Sequence, residues 1–193
     1  MIGKDDTPII SYEVLSKANI ELRVYKELLL VSAPMNNKDN SGKNQSFMKL
    51  FRYISGENIS AEKIEMTAPV FMDGKAENGT KIPMTAPVFM DEKGSDEALM
   101  SFVLPDRYTM LNAPKPKNPE LKLHQLKDYK VAVIRFSGLL SKSNIKKHKQ
   151  ILENWIAEKG YEEAGRPKAA GYNPPFTLPP FRRNEVLIPV SAE

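Results

Sequence analysis

The chain lacks cysteine altogether and holds only two histidines, His124 and His148, among its 193 residues. Without cysteine there is no disulfide framework, no thiolate nucleophile and no cysteine-ligated zinc or iron–sulfur centre. Two histidines are too few for a metal site built from several imidazoles within one chain. We therefore predict no metal-binding residue and no catalytic residue of these kinds.

Long apolar runs are also absent from the sequence. No stretch approaches the ~20 apolar residues that span a bilayer. The opening residues, MIGKDDTPII, contain neither the long apolar core nor the cleavage site of a secretory signal. We therefore expect a cytoplasmic protein with no membrane span. Hydrophobic residues make up 41% of the chain, which is enough for a folded core at this length.

Charge is nearly balanced, with a formal net charge of +4. Acidic and basic residues are interspersed, but one basic excess stands out at Lys142, Lys146, Lys147, His148 and Lys149. This excess fits the solvated face of a helix, and it also fits a patch that attracts phosphate or propionate groups. No aromatic residue lies among these lysines, which argues against a partner made of nucleic acid.

The hydrophobic pattern predicts mostly strands. Alternating or continuously apolar segments of strand length occur at 12–15, 20–35, 98–104, 121–126, 130–136 and 185–190. A weaker segment at 161–172 is interrupted by glycine. Polar residues at 36–46 and a proline-rich, aromatic stretch at 173–183 predict loops.

Two segments change to a helical period. At 46–55 the apolar residues are spaced as on one face of a helix that ends near Gly56: Phe47, Leu50, Phe51 and Ile54. At 141–159 a second stripe, flanked by His148 and Trp155, consists of Ile145, Leu152 and Ile156. Ser141 or Ser143 is the expected N-cap of this second helix, and Gly160 its end.

An internal repeat is the most unusual feature of the sequence. KIEMTAPVFMD at 63–73 recurs as KIPMTAPVFMD at 81–91, with one difference in eleven positions, Glu65 against Pro83. The copies lie eighteen residues apart, too close for a domain duplication, and the turn-forming connector DGKAENGT joins them. We predict a hairpin of two irregular strands, with the Ile, Met, Ala, Val and Met side chains of each copy turned inward. Such methionine-rich faces suit either core packing or a ligand pocket.

The order of elements repeats along the chain. Strands, a helix and further strands occur on each side of a connector at 105–119 that holds four prolines. We therefore predict a tail at 1–11 and a single α+β domain over 12–190, with pseudo-repeats at about 12–104 and 120–190. One curved, mostly antiparallel sheet would carry both helices. A domain built of two related halves has a cleft at its pseudo-axis, where ligands commonly bind.

Several segments together resemble the SOUL/haem-binding-protein family. They are LFRYISGEN at 50–58, KIEMTAPVF with its second copy, MSFVLPDRY at 100–108, VAVIRFSG at 131–138 and GYNPPFTLPPFRRNEVLIPV at 171–190. Their order and spacing follow the family over residues 12–190. The resemblance implies a pseudo-duplicated, distorted antiparallel β-barrel-like sheet with two α-helices. It also implies a non-catalytic carrier or buffer that binds haem or another porphyrin non-covalently.

The resemblance further implies where the tetrapyrrole binds. The pocket of the family lies beside the first helix and the loop before the last strand, which here gives eight residues: Asn44, Phe47, Met48, Phe51, Arg52, Tyr172, Phe176 and Leu178. Neither histidine falls in this region, so we expect an apolar pocket without strong axial ligation and without a metal ligand, in which Met48 is at most a weak soft donor. The expected partner is a tetrapyrrole or another planar apolar molecule, and a monomer is favoured.

A helical projection supports two faces on the first helix. It puts Leu50 and Ile54 on one side and Asn44, Met48 and Phe51 on another. One side can pack on the sheet while the other meets a ligand or solvent. Outside this helix, His124 is expected at a solvent-facing strand position and His148 as a packing residue.

Two other functions stay open. The architecture also resembles gyrase-inhibitory-protein-like effector domains, in which a glutamate near the start of the last strand meets cationic ligands, and Glu185 occupies the similar position. Glu185 equally fits a salt bridge with its neighbours Arg182 or Arg183. An enzyme would use Glu185 as general base with Tyr12, Tyr25 or Tyr172 nearby. The sequence shows no nucleophile–base pair and no metal motif, so we predict a protein that is not an enzyme.

Overall fold

The computed structural model describes residues 12–16, 20–35, 40–59, 79–91, 98–173 and 177–192, without the side chains of 16, 40–43 and 192. Within these residues the helices are α1 (Asn40–Ile54) and α2 (Lys142–Glu158), and a 3-10 turn covers Pro179–Phe181. The strands are β1 (Glu13–Ser16), β2 (Ile20–Pro34), β3 (Asn58–Ile59), β4 (Val88–Asp91), β5 (Leu99–Val103), β6 (Lys115–Pro116), β7 (Lys122–Phe136), β8 (Tyr161–Glu163), β9 (Lys168–Gly171) and β10 (Asn184–Ala192).

Six strands close into an antiparallel barrel. Their order is β2, β5, β4, β9, β10 and β7, and β7 pairs again with β2. β1 lies beside β2, β8 pairs with β10, and the short strands β3 and β6 form a separate pair. The predicted α+β fold, with one curved antiparallel sheet and two helices, is therefore confirmed, and the sheet closes on itself.

The longest strand pair joins β2 to β7, from Ile20 opposite Ile134 to Ser32 opposite Lys122. The sequence predicts two strands where β7 is continuous, because the apolar pattern lapses near Asp128. Asp128 takes a left-handed backbone conformation with a φ of 46°, which aspartate tolerates better than most residues. The ladder skips one residue there and then continues, so the break in the pattern is local.

Side chains alternate between the interior of the barrel and its outer surface. On β2, Leu28 and Leu30 pack inside the barrel with Phe89 and Leu187. Val31, the next residue along the strand, packs on the outside of the barrel, in the apolar cluster that α1 covers. The middle of the barrel is therefore filled by side chains, as in other small barrels.

Each helix covers a different part of the outer surface. α1 packs on β2 and β5, and α2 packs on β7, β8 and β10. α2 follows its predicted stripe, since Leu152 and Ile156 are buried. Ser141 is its N-cap, and the side chain accepts a hydrogen bond from an amide of the first turn. His148 stacks on Phe136 with the ring centroids 4.1 Å apart, so it is a packing residue as predicted.

The second copy of the repeat supplies β4, while the first copy, at 63–73, lies outside the described residues. β4 pairs with β5 on one side and with β9 on the other, so the predicted hairpin is wrong for the second copy. The inward face also differs from the prediction, because Phe89 is buried inside the barrel and Met84 is 37% exposed. The alternation changes at Pro87, which has no amide hydrogen to donate to a ladder.

Candidate functional site

α1 presents a semi-apolar face to solvent. Met48 is 45% and Phe51 is 42% exposed, and Asn44 and Arg52 are exposed beside them. The half-buried ring of Phe47 stacks on Phe51, with centroids 6.2 Å apart and planes 12° from parallel. Residues three and four apart are neighbours on a helix, so five of the eight predicted binding residues form one surface. We call this surface the α1 face.

The opposite side of α1 holds the helix on the barrel. Leu50, Tyr53 and Ile54 are buried. The Tyr53 hydroxyl donates a hydrogen bond of 2.8 Å to the carbonyl of Pro114. Tyr53 takes the inward place that the apolar spacing gives to Phe51, and Phe51 lies on the outer side, where the helical projection puts it. These contacts fix the rotation of the helix about its axis, and Phe51 points outward as a result.

The predicted loop residues lie apart from the α1 face. Tyr172 follows β9 and is buried, and its ring packs in the interior of the barrel. Leu178 precedes the 3-10 turn and is 64% exposed. Phe176 lies outside the described residues. The structure therefore groups the five helix residues, and it places Tyr172 in a different cluster.

Tyr172 belongs to a polar network buried inside the barrel. Glu185, at the start of β10, is fully buried, and its two oxygens accept hydrogen bonds of 2.7 and 3.0 Å from Arg23. Arg183 donates to one of these oxygens at 2.7 and 3.0 Å, and the Tyr172 hydroxyl donates to the other at 2.5 Å. Arg23 also pairs with Glu21. Two arginines thus balance two glutamates in this network.

The network keeps Glu185 ionised. Burial alone would raise the pKa of its carboxyl, but the hydrogen bonds and charge of Arg23, together with Tyr172 and Arg183, hold that pKa below its usual value. Burial would lower the pKa of Arg23, and Glu185 raises it instead. Burial raises the pKa of the Tyr172 hydroxyl, and the charge of Glu185 raises it further. A carboxylate with both oxygens occupied in this way is not a free base for catalysis.

Arg23 is the network residue that sequence reasoning missed. It lies 162 positions from Glu185 along the chain, whereas the sequence pointed only to the adjacent Arg182 and Arg183. Of these two, Arg183 bonds Glu185, and Arg182 donates to a loop carbonyl. The available signal was the alternation that puts Arg23 and Tyr25 on one face of β2. Closure of the barrel turns that face inward.

The structure corrects the placement of His124. A solvent-facing position is predicted, but the side chain is half-buried, and its Nδ1 lies 3.4 Å from the Ser32 hydroxyl. His124 pairs with Leu30, an interior residue of β2, so barrel closure turns this part of β7 inward as well. Burial lowers the pKa of His124, and the charge of Lys168 lowers it further.

The α1 face suits a tetrapyrrole that binds without strong axial ligation. Phe47, Phe51 and Met48 offer apolar contact to a flat ring, and the Arg52 guanidinium can pair with a carboxylate. Neither histidine lies on α1. Among the residues that the structure describes, no three histidine, aspartate or glutamate side chains are grouped to hold a metal ion. The side chains of the α1 face thus fit a tetrapyrrole through contacts with its flat ring and with its carboxylates.

In the part of the chain that the structure describes, a closed antiparallel barrel with two outer helices defines a small α+β barrel domain. The family profile of the SOUL heme-binding protein matches residues 7–78 and 71–189. The chain therefore belongs to the SOUL heme-binding protein family. The two matches overlap at 71–78, around the connector between the repeat copies. A comparison with curated protein sequences gives no match.

Solved structures share the fold at low sequence identity. EcmrR, in a complex with DNA, matches with a TM-score of 0.60 and 11% identity over 96% of this chain and 59% of the EcmrR chain. An uncharacterized conserved protein from Listeria innocua matches at 0.54 and 13% identity over 92% of this chain and 94% of its own. A hydrolase from Listeria innocua matches at 0.52 and 10% identity over 91% and 93%. At such identities the likeness shows the fold alone. Across the described part of the chain, no helix has the length and apolar character to cross a membrane.

Proposed function

We propose that this protein binds haem or a related tetrapyrrole non-covalently on the α1 face, as a carrier or buffer without catalytic activity. The observation that carries the proposal is the exposure of Met48 and Phe51 beside the stacked ring of Phe47. Met48, Phe51 and the stacked ring of Phe47 are neighbours on one helix, so they form a contiguous apolar patch, and such patches mark binding surfaces more often than single exposed apolar side chains do. Membership of a haem-binding family makes a tetrapyrrole the best-supported partner.

The proposed binding rests on apolar contact and one ion pair. The porphyrin ring lies against Phe51 and Met48, and Arg52 pairs with a propionate. Any redox chemistry belongs to the tetrapyrrole, while the chain shields one side of it and holds its orientation. Leu178 and Tyr172 lie apart from the α1 face, so the proposed contact with the ring is made by α1 alone. The Tyr172 hydroxyl is committed to Glu185.

Substitution on the α1 face tests this proposal. Phe51→Asp places a carboxylate against the ring, and we expect haemin binding to weaken about tenfold or more, followed by Soret absorbance. Ile151→Asp is the matched control, because Ile151 is an apolar helix residue with the same 42% exposure on α2. Metal-free protoporphyrin should bind within about threefold of haemin, because no strong ligand faces the iron. The proposal fails if Phe51→Asp binds like the parent chain or if His124→Ala abolishes binding.

The effector-binding alternative has less support. Glu185 would have to meet a cationic ligand, but both of its oxygens already bond Arg23, and Arg183 bonds one of them as well. A cation would therefore have to displace guanidinium groups from a fully buried site. Titration with a cationic aromatic dye tests the alternative, and we expect no binding that depends on Glu185.

An enzymatic alternative has one geometric feature in its favour. The Ser32 hydroxyl lies 3.4 Å from His124 Nδ1, as a nucleophile lies near its base. However, Ser32 is buried and its hydroxyl shares a hydrogen bond of 2.7 Å with Ser101. A substrate carbonyl has no access to a hydroxyl in that position, so we propose no catalytic role for Ser32.

A further inference from the structure

A separate cleft of about 260 Å³ lies on the outer surface of the barrel, where β4 and β9 meet beside the first turns of α2. Its floor is apolar and consists of Met35, Met90, Ala169 and Val186. Ile145 of α2 closes one side. None of the residues of the α1 face lines this cleft. The cleft sits at the junction of the two halves, where the sequence predicts a ligand cleft.

The rim of this cleft is basic. Lys142 and Lys146 project from α2, and they make no ion pair with any described residue. Lys168 also lines the cleft, and Asp91 neutralises it. The first turn of α2 contains no acidic residue, although acidic side chains are the ones that favour a helix N-terminus. Lys142 lies in the first turn and Lys146 one turn later, so the two cations repel each other and the helix dipole repels Lys142. An anion would relieve both repulsions.

We propose that this cleft binds a small amphipathic anion, with its apolar tail on the methionine floor and its anionic head group between Lys142 and Lys146. The cleft is smaller than the ~300–1,000 Å³ of pockets that hold drug-sized ligands. It therefore suits a short alkyl or aryl tail and excludes a whole porphyrin ring. The site is independent of the proposed tetrapyrrole site.

Titration calorimetry with octanoate tests the anion site, with octanol and octylamine as probes of the same tail. Octanoate should bind, octanol should bind more weakly, and octylamine should not bind, because the ammonium groups repel it. The double variant Lys142→Glu/Lys146→Glu should weaken octanoate binding about tenfold or more. Lys147→Glu is the matched control, since Lys147 is an exposed lysine of α2 that does not line the cleft.

Retention of charge gives the second comparison. Lys142→Arg/Lys146→Arg should keep octanoate binding, and haemin binding should stay unchanged in both double variants. Equal binding of octanoate and octylamine, or normal octanoate binding by the charge-reversed variant, would overturn the anion site. Loss of haemin binding in the charge-reversed variant would also overturn it, because the two ligands would then share one site.

Discussion

At the scale of single residues, the fully buried carboxylate of Glu185 is the strongest constraint in the barrel. Removal of one partner from a buried ion pair leaves the other charge without compensation. We therefore expect Glu185→Ala to cost about 3–5 kcal/mol in the free energy of unfolding, measured with urea, because the buried Arg23 then keeps only the partly exposed Glu21 as a partner.

The control for this prediction is a pair at the surface. Glu153 lies 3.6 Å from Lys149 on α2, and both side chains are partly exposed. Glu153→Ala should change stability by less than about 1 kcal/mol, as exposed pairs usually do. Equal losses in the two variants would contradict the role given to the buried network.

His124 gives a prediction about pH. Burial, reinforced by the charge of Lys168, lowers its pKa in the folded protein, while Asp91 acts in the opposite direction. The unfolded chain therefore takes up a proton first as the pH falls below about 6.5. The contribution of His124 is present above that value and is lost as the pH falls toward the lower folded pKa.

When the pH falls from about 7.5 to about 5.5, we expect the free energy of unfolding of the parent chain to fall relative to that of His124→Gln. Urea unfolding of both proteins at the two pH values measures it. A difference that does not change with pH would show that His124 titrates alike in the folded and unfolded chains.

The same residues show how far local reasoning reaches. The position of Glu185 at the start of the last strand follows from the sequence, and so does the outward face of α1 with Met48. Arg23 could not be found, because its pairing with Glu185 depends on the contact of strands that are far apart in the chain. The sequence puts His124 in solvent for the same reason, because a half-apolar strand gives no sign that the barrel closes around it.

At the scale of elements, the start of α2 can be tested by single substitutions. Two serines, Ser141 and Ser143, are equally good N-caps by sequence. In the structure Ser141 accepts a hydrogen bond of 3.3 Å from the Asn144 amide. Ser141→Ala should therefore lower the free energy of unfolding by about 1 kcal/mol in urea, and Ser143→Ala should lower it less. The reverse order would place the cap at Ser143.

The success of prediction differs between elements for a physical reason. The long strand β2 and the helix α2 carry a clear period, so their positions and buried faces follow from the sequence. β4 does not, because Pro87 interrupts the alternation and the true partners of this strand are β5 and β9. The repeat suggested a local hairpin, which is a pairing between neighbours in sequence. Pairing with distant strands leaves no trace in a local pattern.

At the scale of the whole molecule, the two halves of the chain share one barrel. β2, β4 and β5 come from the first half, and β7, β9 and β10 come from the second. The halves meet twice, where β4 pairs with β9 and where β2 pairs with β7 over most of its length. The sequence predicts two related halves on one curved sheet. The long β2–β7 ladder closes this sheet into a barrel, and it joins the halves more firmly than a cleft between them would.

This closure predicts that both halves unfold together. Trp155, the one tryptophan of the chain, lies on α2 in the second half and stacks near Tyr161. Leu50 lies on α1 in the first half and is fully buried, so Leu50→Ala should cost about 2–5 kcal/mol. Because a two-state domain loses all of its structure at once, this distant substitution should shift the urea transition of Trp155 fluorescence as far as it shifts the transition followed by circular dichroism. Met48→Ala, at the exposed side of the same helix, should leave both transitions within about 0.5 kcal/mol of the parent chain. If the Trp155 transition stays in place while circular dichroism shows an earlier step, the halves unfold separately and the barrel does not couple them.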